Sequence, residues 1–249
     1  MAKLIKKVTQ RGQFELYSER GILSYFLFNY LPDGENLIKF VNSLSFPLNC
    51  INPFANQKIH NPVFFGELVL GPQGFGSPDG SIFFKCNNQN IMIFIEAKFN
   101  ETYLESCKKK KYNSTIKGQL ELRWRAVSLY KNKSIKKDKK GTYLIETDAY
   151  RTTYAAKDTF YKNRLRISGS NLGSYRRLIL DEGVKRLFED YIEKCNLDDI
   201  YFLCITSDKE NPFNNNYVDY PKLHNLTWDQ SAKQFCWKSA SEIEECNCL

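Results

Sequence analysis

Two segments organise this chain: Ser77-Pro78-Asp79-Gly80-Ser81-Ile82-Phe83-Phe84 and, after a polar turn, Ile91-Met92-Ile93-Phe94-Ile95-Glu96-Ala97-Lys98. Each is a short apolar run of strand length, bounded by turn-forming residues. Side chains in a strand repeat every two residues on one face, so Glu96 and Lys98 point the same way. If the runs pair as a hairpin through Lys85–Asn90, Asp79 at the start of the first strand comes to the same sheet edge as Glu96 at the end of the second. Two carboxylates and an ammonium then meet. Carboxylates at close range repel and call for a cation between them. Mg²⁺ suits this role, because one or two carboxylates hold it while several of its waters remain for substrate phosphates.

Pro78-Asp79 followed by Glu96-Ala97-Lys98 resembles the signature of the PD-(D/E)XK nuclease superfamily. The resemblance touches residues 63 to 237 and is specific only between 67 and 98. It implies an α/β fold with a restriction-endonuclease-like core, in which helices flank a mixed central sheet. It implies a Mg²⁺-dependent endonuclease, with Mn²⁺ able to substitute, that hydrolyses DNA phosphodiesters; RNA is not excluded. By resemblance Asp79 and Glu96 are metal ligands, the Ala97 carbonyl is another, and Lys98 assists the attacking water. Glu67 is a further candidate ligand and catalytic acid, because it is a charge inside the apolar run Val63–Leu70 and needs a partner or a metal if buried. Glu19, on a helix expected over Phe14–Leu27, competes with Glu67 for that role. Gln119, on the helix after the Glu-x-Lys strand, matches a glutamine that reaches the site in the family. A prokaryotic or phage defence setting and a possible homodimer are also implied by the resemblance alone.

Composition agrees with a polyanionic partner. The chain has 249 residues with a net charge of +8 and a pI near 8.9, a balance that favours nucleic acid or another anionic surface. The length fits one large domain with its own core, carrying a basic and aromatic insertion around 131–177. The charged start Met1–Lys7 lacks the apolar centre of a signal peptide, and no run approaches a membrane span, so a cytoplasmic protein without a membrane partner is expected. Eight cysteines in such a chain read as reduced thiols. Cys236, Cys246 and Cys248 make a poor zinc pattern, since the Cys-x-Cys spacing is unusual and His224 completes no known arrangement.

The remaining elements follow from periodicity. Helices are expected over Gly34–Leu44 and Asp181–Cys195, and an amphipathic one over Gln119–Val127 with Leu120, Trp124 and Val127 inward. Arg123 and Arg125 on that helix are expected to contact backbone phosphates. Leu48–Pro62 reads as irregular connection, with His60 exposed. Lys131–Lys140, six lysines in ten residues, reads as a solvated loop, followed by a strand over Thr142–Glu146. Tyr150–Arg177 interleaves aromatics with basic residues, which suits stacking and charge contact with nucleic acid or an ordinary insertion. The apolar run Ile200–Thr206 reads as a central strand. A last helix is expected to open at Leu226–Asp229, capped by Thr227 or Asp229. The glycines at 71, 74, 76 and 80 lack a P-loop ending and read as turn residues. Two other functions compete: a nucleic-acid-binding module with a vestigial site, and an interaction subunit of a defence complex.

Overall fold

A computed structural model describes residues 23, 34–47, 50–66, 78–108, 115–131, 133, 135–139, 141, 143–146, 177–179, 185–214 and 233–245. Glu19, Glu67, Thr227, Asp229, Cys246, Cys248 and almost all of Tyr150–Arg177 lie outside the described residues.

The hairpin forms as its residues require. β2 (Gly80–Cys86) and β3 (Gln89–Lys98) pair antiparallel from Gly80 opposite Ile95 to Cys86 opposite Gln89. Two residues, Asn87 and Asn88, make the turn with φ of 50° and 63°. Positive φ at both positions is the geometry that matches strand twist in a two-residue hairpin, and asparagine tolerates it. β1 (Ile59–Phe65) pairs antiparallel with β2 on the other side. The irregular connection expected over Leu48–Pro62 therefore ends at Lys58, and Ile59–Pro62 belong to the strand. Pro62 is admitted to the strand because β1 is an edge and its register shifts between His60 and Val63.

The hairpin is the antiparallel half of a mixed five-stranded sheet, β1-β2-β3-β7-β8. β7 (Asp199–Thr206) runs parallel to β3, and β8 (Phe235–Ser239) runs parallel to β7. A parallel pair needs a crossover, and the chain between β3 and β7 supplies it with α2 (Tyr103–Cys107) and α3 (Ile116–Lys131). β3 is buried from Ile91 to Lys98, as a strand covered on both faces must be. Met92 and Phe94 join Trp124, Phe188, Phe202 and Phe235 in the core on the α3 side. Ile91, Ile93, Ile95 and Ala97 join Leu37, Phe40 and Val41 of α1 (Gly34–Asn42) and Ile243 of α4 (Ala240–Glu245) on the other. Helices thus cover both faces and the fold is α/β.

α1 ends in a way that fixes its neighbours. Asn52 donates to the carbonyls of Val41, Asn42 and Leu44 at 3.2, 3.0 and 3.0 Å. These are groups that a helix end leaves without intrahelical donors.

Two further expectations are corrected. The lysine-rich stretch is not wholly a solvated loop: β4 (Ile135–Lys137) pairs with β5 (Tyr143–Glu146), and β5 with β6 (Arg177–Ile179), in a second sheet. Ile135 is the reason, an apolar residue among lysines that is 4 % exposed against the α3 core. The helix expected over Asp181–Cys195 is a π-helix across Leu187–Glu193, and its wider turn sends the Lys194 N–H to Glu189 and the Leu197 N–H to Ile192. Near the C-terminus, residues 235–239 form strand β8, which the sequence reading did not anticipate; the opening expected for the last helix, Leu226–Asp229, lies outside the described residues. All five are buried, so the segment behaves as a sheet member with both faces covered. Cys236 lies in it, a buried free thiol whose Sγ points to the Phe202 carbonyl at 3.7 Å; it faces the core instead of a zinc site.

Candidate active site

Asp79 is placed by backbone bonds at the first rung of the hairpin. Its N–H donates to the Ile95 carbonyl at 2.9 Å, and its Oδ2 accepts the Ala97 N–H at 2.9 Å. Asp79 is therefore tied to the strand on both sides of Glu96, by its backbone to Ile95 and by its carboxylate to Ala97. Gly80 behind it leaves no latitude: a Cβ there would come within 2.9 Å of the Phe64 ring and 3.4 Å of Leu23. This glycine serves close approach of β1 to β2, more than a turn.

Strand alternation decides which side chains share the face. Glu96 and Lys98 continue the Met92–Phe94 row toward the α3 side. Ser81 lies opposite Phe94, so Ser81 and Asp79 belong to the same face. Asp79 is 4 %, Glu96 0 % and Lys98 8 % exposed. Lys98 turns back, and its ammonium donates to the Ala97 carbonyl at 3.1 Å. The two carboxylates and the ammonium expected at one edge are thus brought together, and the expected ligand carbonyl is the one that Lys98 touches.

α3 supplies the other wall. Its inward stripe carries Leu120, Trp124 and Val127, all buried, as the spacing predicts. Gln119 sits one turn before Arg123, and Gln119 Oε1 is buried with no hydrogen-bond partner among the described residues. Arg123 departs from the expectation of surface phosphate contact. It is 1 % exposed, and its Nη1 donates to Glu96 Oε1 in a buried ion pair and to the Gln119 carbonyl at 3.3 Å. Leu120, Arg123 and Val127 share one helical stripe, so the inward direction of Arg123 was available in the sequence. The side chain of Arg125 lies outside the described residues.

The electrostatics of Glu96 follow from this enclosure. Burial pushes its carboxyl up to about 8, against the pull of Arg123, with a push from Asp79 and a further pull from Lys98. Oε1 has Arg123; Oε2 is buried and meets no donor among the described residues. Ser81 Oγ is likewise buried without a partner there. Ser81 escaped the sequence reading because a lone serine at the head of a strand gives no signal of its own.

These orphaned oxygens test whether a divalent cation fits. Among the described residues no three His, Cys, Asp or Glu side chains gather as a metal cluster. Mg²⁺ does not require three, since one or two carboxylates with waters suffice. Asp79, Glu96 with its open Oε2 and the Ala97 carbonyl form a hard-oxygen set of that kind, and Gln119 Oε1 offers a further acceptor. The donor chemistry fits.

The end of β7 buttresses the same edge. Thr206 lies opposite Lys98. Its hydroxyl donates to Asp208 Oδ2 at 2.6 Å and accepts the Trp237 indole N–H at 3.0 Å. Asp208 Oδ2 also accepts the Tyr103 N–H at 2.7 Å, which ties α2 to β7. Among the described residues no helix is long and apolar enough to cross a membrane. Comparison with protein-family models, with curated proteins and with solved structures gives no match for this chain.

Proposed function

We propose that the chain is a divalent-metal-dependent nuclease of the PD-(D/E)XK type, with a restriction-endonuclease-like core, that hydrolyses DNA phosphodiesters. One observation carries the reading: the Ala97 N–H to Asp79 Oδ2 bond, which clamps Asp79 beside Glu96 and Lys98 at one sheet edge. The order of strands supports it, since an antiparallel meander followed by a helical crossover to a parallel strand is how a mixed sheet brings the Glu-x-Lys strand to its centre.

Asp79, Glu96 and the Ala97 carbonyl would hold the cation, with Glu67 a further candidate ligand. Such an ion, when bound, lowers the pKa of its water and offsets charge on the phosphoryl oxygens. Lys98 is an ammonium with donors only; it would orient the attacking water and steady the charge that develops on it. Gln119 would receive a hydrogen bond from that water or position it. The net charge of +8 supports a nucleic-acid substrate, drawn in by long-range attraction that weakens with salt.

A second reading has its own support. Arg123 already answers Glu96, and Glu96 is fully buried, which suits a nucleic-acid-binding module that has no turnover. Cleavage of supercoiled plasmid and single-stranded DNA with Mg²⁺ or Mn²⁺ separates the two. Metal-dependent cutting that is absent from Asp79→Ala and Lys98→Ala supports the nuclease. DNA binding with no cutting by any form supports the binding module. Cutting that survives both substitutions sinks the site proposed here.

A further inference from the structure

Among the described residues Arg123 is the cation in direct contact with Glu96, with Lys98 adding a longer-range pull. Arg123 Nη1 reaches both Glu96 Oε1 and the Gln119 carbonyl. α3 runs back along β3, because β3 and β7 are parallel and the helix lies in their crossover. The turn containing Gln119 therefore lies toward the sheet edge that carries Asp79 and Lys98. On this same wall two buried acceptors, Glu96 Oε2 and Gln119 Oε1, meet no donor among the described residues. In the ionised carboxylate and the amide neither oxygen has a proton to give, and a donor or a cation can complete them. The guanidinium covers one oxygen of Glu96; a divalent ion with its own waters can serve both remaining acceptors.

From this we infer that Arg123 is a resident counter-ion which a divalent cation displaces, so that guanidinium and metal compete for Glu96. The inference rests on the proposed use of Asp79 and Glu96 as metal ligands, and it adds what controls their loading. Two positive groups cannot share one buried carboxylate at close range without strong repulsion. Arg123 has somewhere to go: its existing bond to the Gln119 carbonyl lets the head turn along α3 toward the edge while keeping a partner. The metal-free site is thereby charge-balanced, and folding does not wait for metal. The cation concentration at which the site fills is set by how firmly Arg123 holds Glu96.

The test is Mn²⁺ binding to the full chain, read by the electron paramagnetic resonance of the unbound ion, for wild type, Arg123→Met and Arg123→Lys. Removing the competing charge should tighten Mn²⁺ binding about tenfold in Arg123→Met, as expected for one like charge at a few ångströms in a shielded site. Arg123→Lys, with a point charge in place of the planar fork, should fall between. Equal or weaker binding by folded Arg123→Met overturns the inference. Should Arg123→Met fail to fold, wild type decides: Mg²⁺ should raise phenylglyoxal labelling of the Arg123 peptide severalfold, and labelling indifferent to Mg²⁺ overturns the inference. Tighter Mn²⁺ binding without plasmid cleavage keeps the competition and removes the nuclease reading. Cleavage with unaltered Mn²⁺ binding does the reverse.

Discussion

Glu96 and Glu193 are both received between helix and sheet, and their surroundings treat them in opposite ways. Glu193, in the π-helix, accepts the Tyr143 hydroxyl from β5 at 2.5 Å and the Tyr130 hydroxyl from α3 at 2.7 Å. Lys137 of β4 stands 3.6 Å away and pairs with Glu189 at 2.9 Å. Burial pushes Glu193 up, but the two hydroxyls and Lys137 outweigh it and hold the carboxyl below its usual range. The cost appears on its partners: burial and then the Glu193 bond push Tyr130 up to about 12, and Tyr143 is raised for the same reasons. Glu96 has deeper burial and, among the described residues, fewer donors, and is held above the usual range. A carboxylate filled with donors from three elements is an anchor; here it fastens the second sheet to α3. A carboxylate enclosed with one oxygen that meets no donor among the described residues is where the proposed cation would sit.

The largest expected effect tests the open side of this contrast. Asp79→Ala should lower metal-dependent plasmid cleavage at least about a thousandfold, the scale of losing a ligand that stabilises phosphoryl charge, while Tyr143→Phe leaves the rate unchanged. Equal losses from both would erase the distinction between site and anchor.

Next in size is the stability of the buried pair. Arg123→Met should cost about 3–5 kcal/mol at pH 9, because it strands the Glu96 charge in the core. At pH 6 the carboxyl can take a proton and the cost shrinks. Adding Glu96→Gln should restore most of the loss at pH 9. Urea unfolding of the single and double variants measures this, and a loss independent of pH would mean that packing alone is affected.

The pH dependence should then differ in sign between the two carboxyls. Glu96 is raised from 4.5 to about 8, so between those values the native state holds more protons than the unfolded one, and its contribution to stability falls as pH rises. The melting temperature of wild type should decline relative to Glu96→Gln from pH 5 to 8. Glu193 is lowered from 4.5, so its contribution is present above that value and is lost as pH falls below it. Wild type should therefore exceed Glu193→Gln at pH 7, and the gap should close in acid. Parallel curves for the two variants would refute the contrast.

The smaller effects sharpen the anchor. Tyr143→Phe removes one hydroxyl from a charged acceptor and should cost about 1 kcal/mol in urea unfolding, discounted because Glu193 is partly exposed. Lys137→Met should shift the unfolding midpoint least, and 0.5 M salt, on the order of several times physiological ionic strength, should remove the shift, since half-exposed ion pairs are screened.

Local chemistry was enough to specify the hairpin, its turn, the central strand at Ile200–Thr206 and the inward stripe of α3. Each depends on side-chain period and turn residues within a few positions of one another, and the same period placed Glu96 and Lys98 on one face. The juxtaposition of Asp79 with them was legible too, because hairpin register is a local property. The residues that complete the site arrive from farther away, and only packing decided them. Arg123 is 27 positions from Glu96, and nothing near it in sequence says whether its charge meets phosphate or carboxylate. That outcome needs the crossover that lays α3 along β3. β4 among lysines, the π-helix and β8 were missed for the same reason. Ile135, Leu187 and Phe235 take their conformations from the cores they fill, and in short segments such burial outweighs local preference.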